Sequence, residues 1–146
     1  MMKTFIKTFK ELSINELYDI LRLRAEVFVV EQDCVYQDVD AKDQKALHLF
    51  ISDADNIVAY TRMFDKGDYF EEASIGRVVV QENYRDKKLG HILIKESIKA
   101  INTHYNTSKI TLSAQKHLKR FYESHNFKQV GKEYLEDGIP HIKMKI

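Results

Sequence analysis

The stretch that most constrains this chain is Ser74–Ala100, SIGRVVVQENYRDKKLGHILIKESIKA. Ile75 and then Val78, Val79 and Val80 are apolar on both faces of a pleat, which suits a central strand covered on both sides. The polar turn Gln81–Lys87 follows, and its end carries the basic cluster Arg85, Lys87 and Lys88. From there the apolar spacing becomes helical. Leu89, Ile92, Leu93 and Ala100 lie on one stripe, widened by Ile94, Ile98 and Ile101.

A strand, a basic turn and a helix with Gly90 in its first turn form the layout of an anion site. The first N–H groups of a helix lack intrahelical partners and sit at the positive end of its dipole, so they suit a phosphate. Gly90 has no Cβ and permits close approach to the backbone, while Arg85, Lys87 and Lys88 add charge. Neither GxxxxGK[ST] nor GxGxxG is present. The residues alone leave two readings open, an anion loop and a solvated basic turn before an ordinary helix.

The 146 residues suit a single domain, 1–146, with a proper core. At 44% hydrophobic and 31% charged, with one Pro, the composition is globular. A net charge of +1 gives no global pull toward nucleic acid or anionic membrane. No apolar run approaches bilayer length, and the first residues lack the apolar core of a signal peptide. The single Cys34 cannot form an internal disulfide, which fits a reducing cytoplasm. No repeat or linker is visible.

Lys3–Lys10 alternates as a strand. Ser13-Ile14-Asn15-Glu16 is a capping box, opening a helix whose stripe of Leu17, Ile20, Leu21, Arg24, Val27 and Phe28 carries it to Val30 or Glu31. Cys34–Lys45 is polar and reads as a loop. Ala46–Ser52 and Ile57–Phe64 are strands joined at Asp53–Asn56, and Lys66-Gly67-Asp68 is a turn. After the central unit come a strand at Lys109–Ala114 and a helix at Lys116–His125, closed by a left-handed Asn126. Phe127–Glu136 and Ile139–Ile146 are strands around Asp137-Gly138. The order β-α-β-β-β-α-β-α-β-β predicts an α/β fold, a mixed sheet flanked by helices.

Arg85-x-x-Lys88-x-Gly90 after an apolar strand resembles the acetyl-CoA pyrophosphate loop of the GNAT N-acetyltransferases, with Lys88 where the family's first glycine is usual. Leu23-Arg24 through Val27-Phe28-Val29-Val30-Glu31-Gln32, followed by Tyr36-Gln37-Asp38-Val39-Asp40, resembles the ElaA-type subgroup, as does the terminal Asp137-Gly138-Ile139-Pro140-His141. Phe121-Tyr122-Glu123 through Asn126-Phe127 resembles the second GNAT core motif, with Asn126 for the usual glycine.

The resemblance implies the GNAT fold and acetyl transfer from acetyl-CoA, as co-substrate, directly to an amine on a small molecule or peptide. Val78, Val79 and Val80 would pair with the pantetheine arm, one of their N–H groups acting as oxyanion donor. Arg85, Lys87, Lys88, Leu89, Gly90 and His91 would hold the pyrophosphate, with Gln115 near the cofactor. Tyr122 would protonate the departing thiolate, and Glu31 would serve as base, directly or through water. His48 and His141 are alternative bases. Asp38, Asp40 and His141 would receive the acceptor. A homodimer is the assembly to test, and no metal is expected, since Asp38, Asp40 and Asp43 lack the glycine and closing Glu of an EF-hand. Arg62, Arg77 and Cys34 read as structural. A non-catalytic acyl-CoA module and a nucleotide-binding domain are the competing classes.

Overall fold

The computed structural model describes residues 1–146. Seven strands form one mixed sheet: β1 (Met2–Thr8), β2 (Leu47–Asp53), β3 (Asn56–Phe64), β4 (Ala73–Val80), β5 (Ile110–Gln115), β6 (Lys128–Glu136) and β7 (Ile139–Lys145). Their spatial order is β1-β2-β3-β4-β5-β7-β6. Neighbours run antiparallel except β4 and β5, which are parallel. Parallel strands need a long crossover, and helix α2 (Leu89–Tyr105) supplies it. The expected order of elements and the mixed sheet both hold.

Helix α1 (Ile14–Arg24) starts at the capping box: Ser13 accepts from the Glu16 N–H and the Glu16 carboxylate accepts from the Ser13 N–H. The α-helix stops at Arg24, short of the expected end. Residues Ala25–Glu31 continue as a π-helix, with Gln32 N–H reaching back to Val27 at 3.1 Å. The β-branched Val27, Val29 and Val30 are poor α-helix formers, and π turns concentrate at functional sites. The segment Glu82–Lys87, read as a plain turn, is a 3-10 helix. The expected helix at 116–125 is a 3-10 turn, Lys116–Leu118, followed by the short α3 (Lys119–Glu123). Asn126 is left-handed at φ 72°, and Asp137 and Gly138 at φ 51° and 79° make the two-residue hairpin turn.

Each face of the sheet has its own core. Leu93, Ile94, Ala100 and Ile101 of α2 pack on Leu49, Ala59, Met63, Ile75 and Leu112. Ile20, Leu23 and Val27 pack on Phe50, Ile57, Tyr60 and Val79 of the other face. Val79 thus points to α1 while Val78 and Val80 border the α2 core, so the valine run is covered on both sides as expected. Ile92 departs from the predicted stripe. It is 39% exposed, and Ser97 takes a buried place instead.

Candidate active site

β4 and β5 pair at only two positions, Ala73 with Ile110 and Ser74 with Thr111. Beyond these the strands part, and the edge of β4 toward β5 has no strand partner through Val80. Buried N–H and C=O groups left this way need a partner. A cleft of about 410 Å³ fills the gap, walled by β4, β5, the π-helical segment, the start of α3 and the β6–β7 turn.

On its other side β4 carries a bulge. Tyr60 pairs with Val79 and Arg62 with Gly76, so Arg77 and Val78 together face Thr61. Arg77 is left-handed at φ 53°, a conformation that costs a non-glycine residue on the order of 1 kcal/mol. Side chains offset that strain. Arg77 Nε donates to Asp38 Oδ1 at 2.8 Å, Nη2 donates to the Asp38 carbonyl at 3.1 Å, and the guanidinium lies 5.7 Å from the Tyr36 ring centre.

These bonds belong to a larger network of three arginines and three aspartates. Arg24, fully buried on the apolar stripe of α1, donates to Asp38 Oδ2 and to Asp43 Oδ1, each at 2.8 Å. Arg62 donates to Asp43 Oδ1 at 2.8 Å and to both carboxylate oxygens of Asp40, at 2.9 and 2.6 Å. Asp38 and Asp40 therefore depart from their expected place as acceptor-binding acids. Their carboxylates are engaged by arginines, and Asp38 and Asp43 are buried rather than solvated. A buried guanidinium demands such partners.

Lys88 precedes α2 in the left-handed region, φ 59° and ψ 29°, which is where a glycine would be at ease. No side chain caps α2 and no acid lies in its first turn, so the amides from Leu89 onward keep their donors. Gly90 serves packing as well: a Cβ there would stand 3.4 Å from the Phe121 ring. His91 Nδ1 lies 2.8 Å from His125 Nε2, and Lys87 is exposed. Lys88→Gly relieves the left-handed strain but loosens the unfolded chain, two effects of similar size. Urea unfolding is expected to move by no more than about 1 kcal/mol, upward if at all. A larger loss would mean that the lysine side chain contributes contacts of its own.

Arg85 reaches the cleft but is engaged. Its Nε donates to the Val80 carbonyl at 3.1 Å, and its two terminal nitrogens donate to Glu31 at 2.6 and 2.9 Å. The expected pyrophosphate ligand and the expected base thus hold each other across the cleft mouth. Glu31 is therefore not a free carboxylate here.

Tyr122 lines the cleft yet is only 4% exposed, edge-on to Phe121 and Phe127. It sits at the core's border with the cleft. Burial alone pushes its phenol above the ordinary tyrosine range. His48 is excluded as a base: Tyr60 Oη lies 2.6 Å from Nδ1, and Nε2 must donate to the Asp43 carbonyl at 2.9 Å. Gln115 lines the cleft and donates to Gln32 Oε1 at 3.2 Å. Cys34 is buried against the Asp137 carbonyl.

His141 lines the cleft from β7, with Tyr134 and Gln115 opposite it on the flanking strands. Glu136, also on the cleft wall, was missed. Its signal was available: a two-residue Asp137-Gly138 turn fixes the hairpin register, which puts Tyr134 across from His141 and Glu136 on the same face. The bulge was likewise foreshadowed by Gly76 inside an apolar strand.

The acetyltransferase (GNAT) domain family matches residues 9–146. Protein ElaA of Escherichia coli K12 is 43% identical over 136 residues, 92% of this chain and 89% of that protein. The crystal structure of Escherichia coli ElaA superposes with a TM-score of 0.92 at 39% identity, covering 99% of each chain. The crystal structure of an acyl-CoA N-acyltransferase from Pseudomonas aeruginosa does so with a TM-score of 0.94 at 38% identity, again over 99% of each.

Proposed function

From the premise that the chain belongs to the GNAT acetyltransferase domain family, we propose that it transfers an acetyl group from acetyl-CoA directly to an amine, as an enzyme of the reducing cytoplasm. The observation that carries the reading is the parting of β4 from β5 beside an uncapped helix start. An extended pantetheine arm carries amide groups, and the open edge of β4 offers it the partners that β5 withholds. The amides at the start of α2 suit the pyrophosphate. Arg85 stands between that anion and Glu31, so pyrophosphate binding competes with the Glu31 pair. A pair whose members are 43% and 33% exposed is weak enough to yield.

With the thioester laid along β4, an N–H at the bulge, near Val78, polarises its carbonyl, and the network around Arg77 holds that N–H in place. Tyr122 borders the cleft where the sulfur leaves. A phenol whose pKa is raised by burial is a poor proton donor toward a thiolate. Its contribution is a hydrogen bond to the developing sulfur charge rather than full proton transfer.

CoA is expected to raise the melting temperature by mass action, and the protein is expected to release free thiol from acetyl-CoA only when an amine is present. Gly90→Val places methyls against Phe121 and over the first amides, so it is expected to lower the apo melting temperature and to erase most of the CoA shift. A full CoA shift in that variant removes the pyrophosphate from this loop. CoA binding with no thiol release across an amine and peptide library rules out the transferase reading.

A further inference from the structure

We infer that His141 is the base that deprotonates the acceptor amine, with Glu136 as the group that stabilises its charged form; this rests on the N-acyl transfer reading above. His141 Nδ1 lies 2.7 Å from the Ile139 carbonyl, which can only accept, so Nδ1 carries the proton. In the neutral ring the lone pair is therefore on Nε2. That atom lies 3.4 Å from Glu136 Oε2, a position in which a proton gained by Nε2 forms an ion pair.

Glu136 is itself oriented. Its Oε1 accepts from Ser113 Oγ at 3.1 Å, and Ser113 Oγ is hydrogen-bonded to Tyr134 Oη. The Tyr134 ring stacks on His141 with centroids 6.2 Å apart. A backbone carbonyl orients the base and a held carboxylate receives the charge. Unlike Glu31, Asp38 and Asp40, Glu136 is in no ion pair with an arginine or lysine. The remaining titratable groups on the cleft walls are Glu31, Cys34 and Tyr36 from the segment after α1, Arg62, Tyr69 and Arg77 from β3, β4 and the connection between them, Arg85 before α2, His117 and Tyr122 from the α3 side, and Asp137 in the β6–β7 turn. Arg62 and Arg77 are occupied by aspartates and Arg85 by Glu31, and none of the three touches either member of the pair.

The step balances without a co-reactant. An ammonium gives its proton to Nε2, and the freed nitrogen lone pair forms the C–N bond as the thioester C–S bond breaks. The sulfur leaves as a thiolate and becomes a thiol with the second nitrogen proton. His141 returns the first proton to water.

The test compares pH profiles of kcat/KM for an alkylamine acceptor in the wild type, His141→Gln and Glu136→Gln. His141→Gln is expected to lose roughly 10²-fold near pH 7. The deficit should close as pH approaches the amine pKa of about 10, where solvent has already removed the proton. Because His141 is buried, CoA-induced thermal shifts verify that the variant is folded. Glu136→Gln, at an exposed site, is expected to lower kcat/KM severalfold near pH 7, with the loss closing at high pH as in His141→Gln and the CoA-induced thermal shift intact. A wild-type rate in His141→Gln, or a loss that is the same at every pH, overturns the base assignment alone. A wild-type kcat/KM near pH 7 in Glu136→Gln overturns the pairing. A wild type that releases no thiol with any amine overturns acyl transfer to amines itself, and the base assignment with it.

Discussion

Asp43→Asn is expected to lower the unfolding free energy by about 3–5 kcal/mol, the usual cost of removing one partner from a buried charge pair. One oxygen of Asp43 receives both Arg24 and Arg62, whose side chains are 0% and 1% exposed, so a single substitution leaves two buried guanidiniums short of a counter-charge. Stabilities of ordinary domains are about 5–15 kcal/mol, so much of the total is at stake. Urea unfolding measures it, and a loss under about 1 kcal/mol would mean that water screens the site. The same network gives the fold an acid limit. Arg62, by hydrogen bonding and charge, outweighs burial and holds Asp40 down at about 2, and Arg24 and Arg62 likewise depress Asp43. A carboxylate lowered on folding stabilises the protein above its unfolded pKa of about 3.8, and that contribution is lost as pH falls toward 2. The contribution of these carboxylates is therefore expected to be constant near neutrality and to drop below about pH 4. Asp43→Asn should shrink the drop, because one of the depressed carboxylates is gone.

Tyr122→Phe is expected to cut kcat by roughly 10²–10³-fold, the cost of losing one donor aimed at developing charge. The melting temperature should hardly change. Burial is the sole cause of the raised phenol pKa, so no protein hydrogen bond is lost with the hydroxyl, and the ring keeps its edge contacts with Phe121 and Phe127. CoA binding should survive as well. If kcat holds at the wild-type value with chemistry rate-limiting, Tyr122 is a packing residue and the sulfur leaves unaided.

Much of this protein was legible because its signals are local. The capping box at Ser13, the valine run at 78–80, the change of period at Leu89 and the Asp137-Gly138 turn each act through neighbours a few residues apart. Together they order the elements and mark the strand-to-helix turn before α2, where Lys88 takes the left-handed conformation although its side chain disfavours it. Arg24 also carried a legible signal. A charge on the apolar stripe of a helix is tolerable only with a buried partner, so the acids downstream of it were never good candidates for a solvated acceptor site.

The order of strands and helices, the two covered faces of β4 and the family to which the chain belongs all follow from residues near one another along the chain. Only the tertiary structure decided the ownership of charges. Glu31 and Arg85 are 54 residues apart and meet across the cleft mouth, Asp38 and Arg77 are 39 apart and meet at the bulge, and Ser113 and Glu136 are 23 apart on β5 and β6. Periodicity reports which face of its own element a side chain takes. Which opposite charge it finds there depends on how separate elements pack, and in a low-dielectric interior that encounter decides whether a carboxylate is a base, a binding group or one half of an ion pair.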